Sequence, residues 1–387
     1  MASTFSRLRL RLPKLSLILL LLAVFLAPIV LTIPSPHDPT PFSFQNPEVF
    51  PDQHPQALET RNFSVAFSLQ SSYTAAAVIF TNDDGTLETV TDALQGGTSY
   101  RKVMAKLSLY SSQHNAPPYT NEQQYWTDIP RRIRRALRKK SGLPASREVG
   151  VLGRQIRKLR RKIESDLSIR VKDAPIAVQH LVALYQDDVE DVAHYAGIEY
   201  SEPSGLFHPV LWESGSAYSG YGFGFCKNYT DEEQCRAEDI DRPRIRVFAV
   251  HYSRAALGVS MVEVSSGVHP WEPDYRHNEN FTLGADAVDS YSSDIDYWAD
   301  VKAALLDIMV PWTILKKPEK ILLTGDMVRG EKFMHVLKTT VEGHLGYVPP
   351  IYSDDATVVV AKGAAEMRRR GRQPIVRGYG LEGLSSD

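Results

Sequence analysis

Between Ile321 and Arg370 the chain sets out one order of residues twice, and that order admits few folds. An apolar run, Ile321-Leu322-Leu323-Thr324, has the length and character of a short buried strand. Gly325-Asp326 breaks the run, and Phe333, Val336, Leu337 and Thr340 follow at helical spacing. The second unit reads Val358-Val359-Val360-Ala361 as a strand, Gly363 as punctuation, and Ala364-Ala365-Glu366-Met367 as the start of a helix. Strand, glycine and helix in tandem predict an α/β sheet. A glycine at such a turn lacks a Cβ, so a ligand's ring or another backbone can come close. The first amides of the following helix add N–H donors. An ordinary strand-to-helix turn has the same composition, so the chemistry must come from elsewhere in the chain.

The 387 residues, 43% of them hydrophobic, suffice for a sizeable core. A net charge of −2 provides no global field toward nucleic acid, which is not expected as a partner. Leu15 to Ile33 is almost unbroken apolar sequence, long enough to span a bilayer core, with Arg7, Arg9, Arg11 and Lys14 before it. The expected order is a cytosolic basic tail (1–14), a transmembrane signal anchor (15–33), a Pro-rich stem (34–60), the body from 61, and a tail at 371–387. A cleaved signal peptide is the rival, but Ala27-Pro28 offers no clean small-x-small site before Pro34. The anchor implies a single-pass type II membrane protein of the endoplasmic reticulum or secretory pathway with a lumenal body. Sequons at Asn62, Asn228 and Asn280 all follow it, as a glycoprotein requires. Cys226 and Cys235 close a short polar segment, where an oxidising lumen favours a local disulfide over two thiols.

Along the body, Phe63 to Leu69 and Ala75 to Phe80 read as strands, and Asn82-Asp83-Asp84-Gly85 as a hairpin turn returning at Leu87 to Val90. Arg131 to Lys172 is strongly basic, with apolar positions at Ile133, Ala136, Leu137, Val151, Ile156, Leu159 and Ile163. That stretch fits two amphipathic helices with solvated basic faces, or a surface for anionic lipid or an acidic partner. Asp286, Asp289, Asp294, Asp296 and Asp300 lack EF-hand spacing; Ser293 or Asp294 instead caps a helix whose apolar face holds Ile295, Trp298, Val301, Leu305 and Ile308. No metal site is expected.

Leu323-Thr324-Gly325-Asp326, a helix, and then Ala361-Lys362-Gly363-Ala364-Ala365 resemble the adenosine-side ending of the actin/sugar-kinase/heat-shock 70 kDa superfamily, closest to the chaperone ATPase domain without its peptide-binding domain. Ser68-Leu69-Gln70-Ser71-Ser72-Tyr73-Thr74 stands where that family carries its first phosphate loop, and Ala249-Val250-His251-Tyr252-Ser253-Arg254 where it carries the second. Glu213-Ser-Gly-Ser-Ala217 with Tyr221-Gly222 is similar to the family's linking segment; Glu202-Pro203 is a competing placement. The likeness runs from about Phe63 to Arg370. It implies a two-lobed actin-like (ribonuclease H-like) ATPase fold, with lobe I at 61–240 carrying the basic helices of 131–172 and lobe II at 241–370. ATP or ADP would lie between the lobes. The resemblance makes Glu213 the retained catalytic carboxylate and Ser71, Ser72, Tyr73, Gly325, Asp326 and Gly363 the nucleotide-binding positions.

The departures from the family are chemical. Ser68 replaces a metal-orienting aspartate, Ala249 replaces another, and Gln70, His251 and Tyr252 stand where phosphates need glycine. Phosphoryl transfer depends on positioned metal and charge, so these losses make Mg²⁺ binding and turnover doubtful. The expectation is a membrane-anchored, lumenal pseudo-ATPase acting as a binding or scaffolding module for a protein partner that the sequence does not name. The alternatives are an active ATPase using Glu213 with Asp187 or Asp188, and a lipid- or partner-binding protein working through 131–172.

Overall fold

Alternating buried runs and glycine turns fold into two five-stranded sheets. The computed structural model describes residues 61–201, 210–268, 275–312 and 316–371. In chain order, β1 (Asn62–Leu69), β2 (Tyr73–Thr81) and β3 (Leu87–Gln95) lead to α1 (Thr98–Leu107), α2 (Glu122–Lys140) and α3 (Arg147–Leu167). Then come β4 (Asp173–Ala174), β5 (Ile176–Val178), α4 (Gln186–Ala196), β6 (Glu199–Tyr200), β7 (Leu211–Trp212), α5 (Glu213–Gly220) and α6 (Glu232–Asp241). The last part holds β8 (Ile245–Tyr252), β9 (Leu257–Val264), β10 (Tyr275–Asn280), α7 (Asp294–Trp312), β11 (Lys320–Thr324), α8 (Glu331–Leu345), β12 (Ile351–Tyr352) and α9 (Val359–Gly371).

The first sheet is ordered β3-β2-β1-β5-β7 and the second β10-β9-β8-β11-β12; β4 and β6 form a small third sheet. In the first, β1, β2 and β3 are antiparallel neighbours while β5 and β7 run parallel to β1. The second repeats this, with β8, β9 and β10 antiparallel and β11 and β12 parallel to β8. Each sheet therefore carries an antiparallel meander on one side and parallel crossovers on the other, which places helices on its faces.

Burial of β1 on both faces fixes its central position. Val65, Phe67 and Leu69 pack toward Leu152, Ile156, Leu159 and Ile163 of α3. Ala66 and β2's Ala75 and Ala77 join a second cluster with Val247, Ala249 and Leu322 of the other sheet and Ala361, Ala364 and Ala365 of α9. The small residues let helix and strand approach closely, and the Ser64 hydroxyl donates to the Ala365 carbonyl at 2.8 Å. A third cluster, with Phe248, Tyr297, Leu305, Phe333 and Leu337, packs α7 and α8 on the second sheet.

Several expectations are corrected. The actin-like ATPase fold preceded by a transmembrane helix gives way to a mixed α/β architecture with three sheets among the described residues. No helix among them is long and apolar enough to cross a membrane. The longest, α3, has 21 residues but is studded with arginine and lysine. The stretch 15–33, on which the type II membrane topology, the endoplasmic-reticulum or secretory address and the lumenal body rested, lies outside the described residues, as do the stem and the tail from 372. Val358–Ala361 is not a strand: α9 already begins at Val359, and β11's parallel neighbour on the side away from β8 is Ile351–Tyr352. The Val358 and Val359 amides both donate to the Asp355 carbonyl, which starts a helix despite the β-branched residues. Burial of Val359 and Val360 against the second cluster outweighs their local preference.

Candidate functional site

The carboxyl ends of β1, β5 and β8 converge with the start of α5, the kind of place where α/β sheets collect polar side chains. The turn from β1 to β2 is tight, its Gln70 amide donating to the Tyr73 carbonyl at 2.9 Å. The buried Tyr100 hydroxyl of α1 reaches the Gln70 and Tyr73 carbonyls at 2.7 and 3.0 Å, which fixes the turn. Ser71 is thereby held inward. Its Oγ lies 3.0 Å from Nε2 of His251 and 2.5 Å from Oγ of Ser253.

His251 is a β8 residue, its strand pairing with β9 continuing through Tyr252, so the ring is held by the sheet and not by a loop. Its Nδ1 lies 2.9 Å from Oε1 of Glu213 and 3.1 Å from Oγ1 of Thr324. Glu213 opens α5, and its Oε1 also accepts from the Thr324 hydroxyl. With Glu213 as a carboxylate, Nδ1 of His251 carries the proton, leaving Nε2 to accept from the Ser71 hydroxyl. The order of groups is acid, imidazole, hydroxyl. That order polarises a serine in acyl-transfer enzymes. Here Ser71, His251 and Glu213 are all buried. The relay ties the first sheet's turn to the end of β8.

Around it, the side-chain amides of Gln70 and Gln179 and the hydroxyls of Ser68, Ser72 and Tyr73 are buried without a protein hydrogen-bond partner. Each such group costs about 1–3 kcal/mol, so their gathering at one end of a sheet marks a polar site and not a packing core. Burial pushes the Tyr73 phenol far up, with the Glu213 and Asp326 carboxylates adding to the shift.

Next to the relay, His180 lies between Trp212 and His277, with ring centroids 4.9 and 5.2 Å away and rings nearly parallel. Its Nε2 is 2.8 Å from the Ser214 hydroxyl, one residue along from Glu213. Burial, and the neighbouring His277, hold the His180 imidazole well below its usual pKa, and burial lowers His277 as well. Glu279 of β10 is raised well above the carboxylate range by burial and by the charge of Glu213. A cavity of about 570 Å³ reaches this group, lined in part by His180, His277, Glu279, Arg276 and Asp307.

Asp326 sits at the rim, accepting from the Gln95 side chain at 3.2 Å and the Arg254 amide at 3.3 Å. Gly325 adopts φ +110°, and a Cβ there would strike the Tyr252 carbonyl, so β8 occupies the space that a ligand was expected to use. Gly363 lies inside α9 against the Ser216 carbonyl of α5, making it a helix-packing residue. Asp187 and Asp188 lie in an ion-pair cluster with Arg131 and Arg135 of α2. Asn62 and Asn228 are exposed and Asn280 half-exposed, the last accepting from the Thr282 amide at 2.8 Å. Cys226 and Cys235 are disulfide-bonded with Cα atoms 5.2 Å apart. Among the described residues no group of three or more His, Cys, Asp or Glu side chains is arranged to hold a metal ion.

Sequence reasoning missed Gln179, His180 and Glu279. The first two were legible as a polar pair directly after the buried run Ile176–Val178; Glu279 carried no signal. Compared with known proteins, the chain matches no family model and no curated protein at a significant level.

Proposed function

We propose that this chain is a degenerate relative of the actin/sugar-kinase/heat-shock 70 kDa superfamily that works as a binding or scaffolding module instead of an ATPase. The observation that carries this reading is the 3.0 Å bond between Ser71 and His251. The positions that correspond to the family's two phosphate loops bond directly to each other, so a triphosphate has to break this bond to enter. The relay supports loss of turnover, because Glu213 points its carboxylate at an imidazole and a hydroxyl in place of a metal-bound water.

Calorimetric titration of the full chain with ATP and ADP, with and without Mg²⁺, tests it. The expected result is no Mg²⁺-dependent heat and no released phosphate. ATP hydrolysis that disappears in Glu213→Ala would overturn the reading.

A further inference from the structure

We infer that the chain carries a second ligand site, remote from the Ser71–His251 relay, that binds a small phosphate monoester. It is a cavity of about 380 Å³, walled by α1, α2 and the starts of α3 and α4, at the lower end of the size range of small-molecule sites. Leu107, Ala145 and Ala183 line its floor, and basic side chains line its walls.

The charge balance selects the ligand. Lys106, Arg131, Arg135 and Lys139 are held by Glu148, Asp128, Asp187, Asp188 and Asp191. Arg134, Arg138 and Arg147 line the cavity with Lys106, Arg131 and Arg135, while Lys139 stands behind the wall as a second partner of Asp191; no carboxylate pairs with Arg134, Arg138 or Arg147 among the described residues. Seven cations against five carboxylates leave two positive charges. A phosphate monoester carries close to two negative charges at neutral pH, so one such group balances the site while a polyphosphate overfills it.

The geometry is built for an oxyanion. Arg135 is buried, its guanidinium bonding Asp188 at 2.5 Å and Asp191 at 2.5 Å, so it shapes the wall without being spare. Arg138 spends Nε on the Pro144 carbonyl at 2.8 Å, which leaves the planar pair of terminal nitrogens, the fork that suits an oxyanion. Arg147 opens α3, capped by the Ser146 side chain at the Val149 amide. The cavity exceeds what the phosphate itself needs, and the apolar floor suits the organic body of an ester.

The test is calorimetry on the full chain with glycerol 3-phosphate, glucose 6-phosphate, glucose and inorganic phosphate as probes. The expected result is saturable binding of at least one ester, tighter than inorganic phosphate, with no heat from glucose. Arg134→Gln and Arg147→Gln should each weaken the ester about tenfold, the loss of one charge-assisted contact. Both side chains are exposed, so folding is retained and circular dichroism verifies it. Arg161→Gln, the same charge change on the exposed side of α3 and outside the cavity, should leave affinity unchanged. Absence of ester binding at millimolar probe, equal binding of glucose, or equal weakening by Arg161→Gln would overturn the proposal. So would binding to phosphatidic-acid vesicles with none to the soluble esters.

Discussion

Ser71 and His251, 180 residues apart in the chain, are joined at 3.0 Å between Oγ and Nε2. One belongs to the turn that leaves β1, the other to β8, so the bond spans the two five-stranded sheets. Behind it Glu213 and Thr324 share the far side of the imidazole. No member of the relay can be removed without stranding another in a buried place.

The first prediction follows from that dependence. Ser71→Ala should cost about 1–3 kcal/mol, because it leaves Nε2 buried without its partner. His251→Ala should cost more, since it also takes the imidazole from Glu213. In a double-mutant cycle read by urea unfolding, Ser71 and His251 should couple by about 0.5–3 kcal/mol. A coupling indistinguishable from zero would mean the bond does not hold the sheets together.

Two glycines should respond in opposite directions. A Cβ at Gly363 meets the Ser216 carbonyl backbone, and α5 and α9 are so closely packed that neither can yield. Gly363→Ala should therefore destabilise by about 1–3 kcal/mol or more, as overpacking does. Gly343, on the exposed side of α8, has nothing within 4 Å of where a Cβ would stand. Gly343→Ala should stabilise by roughly 0.5–1 kcal/mol through helix propensity. Thermal melts of both variants give the answer, and a tolerated Gly363→Ala would contradict the close approach.

The bridge between Cys226 and Cys235 closes a loop with a sequence separation of 9. Loop-closure entropy puts its contribution at about 2–3 kcal/mol. Dithiothreitol, or the pair Cys226→Ser and Cys235→Ser, should lower the melting temperature accordingly. Both sulfurs should resist alkylation until reduced. Alkylation of the native, unreduced chain would show that the bridge is absent.

The strands β1, β2 and β11 were legible because burial and period agree along them, and their apolar runs stand between turn residues. The failures share a physical cause, the override of local pattern by tertiary contact. Val358–Ala361 reads as a strand but enters α9, since the Asp355 carbonyl caps it and both sheets cover it. Ile133 and Leu137 read as the buried face of α2, yet they are 47% and 49% exposed while Arg135 is buried against three aspartates. Ile295 has the spacing of α7's inner face but is exposed; Tyr297 takes that role, its hydroxyl bonded to Tyr252 at 2.9 Å. At the candidate site, Ser71, Glu213 and His251 each stand out in the sequence, but separately. Their meeting was not legible, because a bond across 180 residues leaves no trace in spacing.

The last prediction concerns acid. His180 is buried between Trp212 and His277, and its imidazole is held neutral well below the usual range by desolvation, with His277 reinforcing it. In the unfolded chain the same ring titrates near pH 6.5, so below that value the unfolded state binds a proton that the native state refuses. Stability thus rises with pH through this region, and it is lost as pH falls, by up to about 1.4 kcal/mol per pH unit for this one group. The facing groups are Ser214, His277 and, along the same cavity, Glu279, whose raised carboxyl acts with the opposite sign. A carboxyl that stays protonated in the native state favours folding at low pH and disfavours it above the unfolded glutamate range. Between pH 7.5 and 5.5 the urea midpoint should fall more, or rise less, on acidification in the parent chain than in His180→Gln, which keeps a polar group beside Ser214. Glu279→Gln should raise the midpoint at pH 7.5 and steepen the fall on the acid side, because the contribution that opposes His180 is gone. Equal slopes in the parent and His180→Gln would show that this histidine does not set the acid sensitivity.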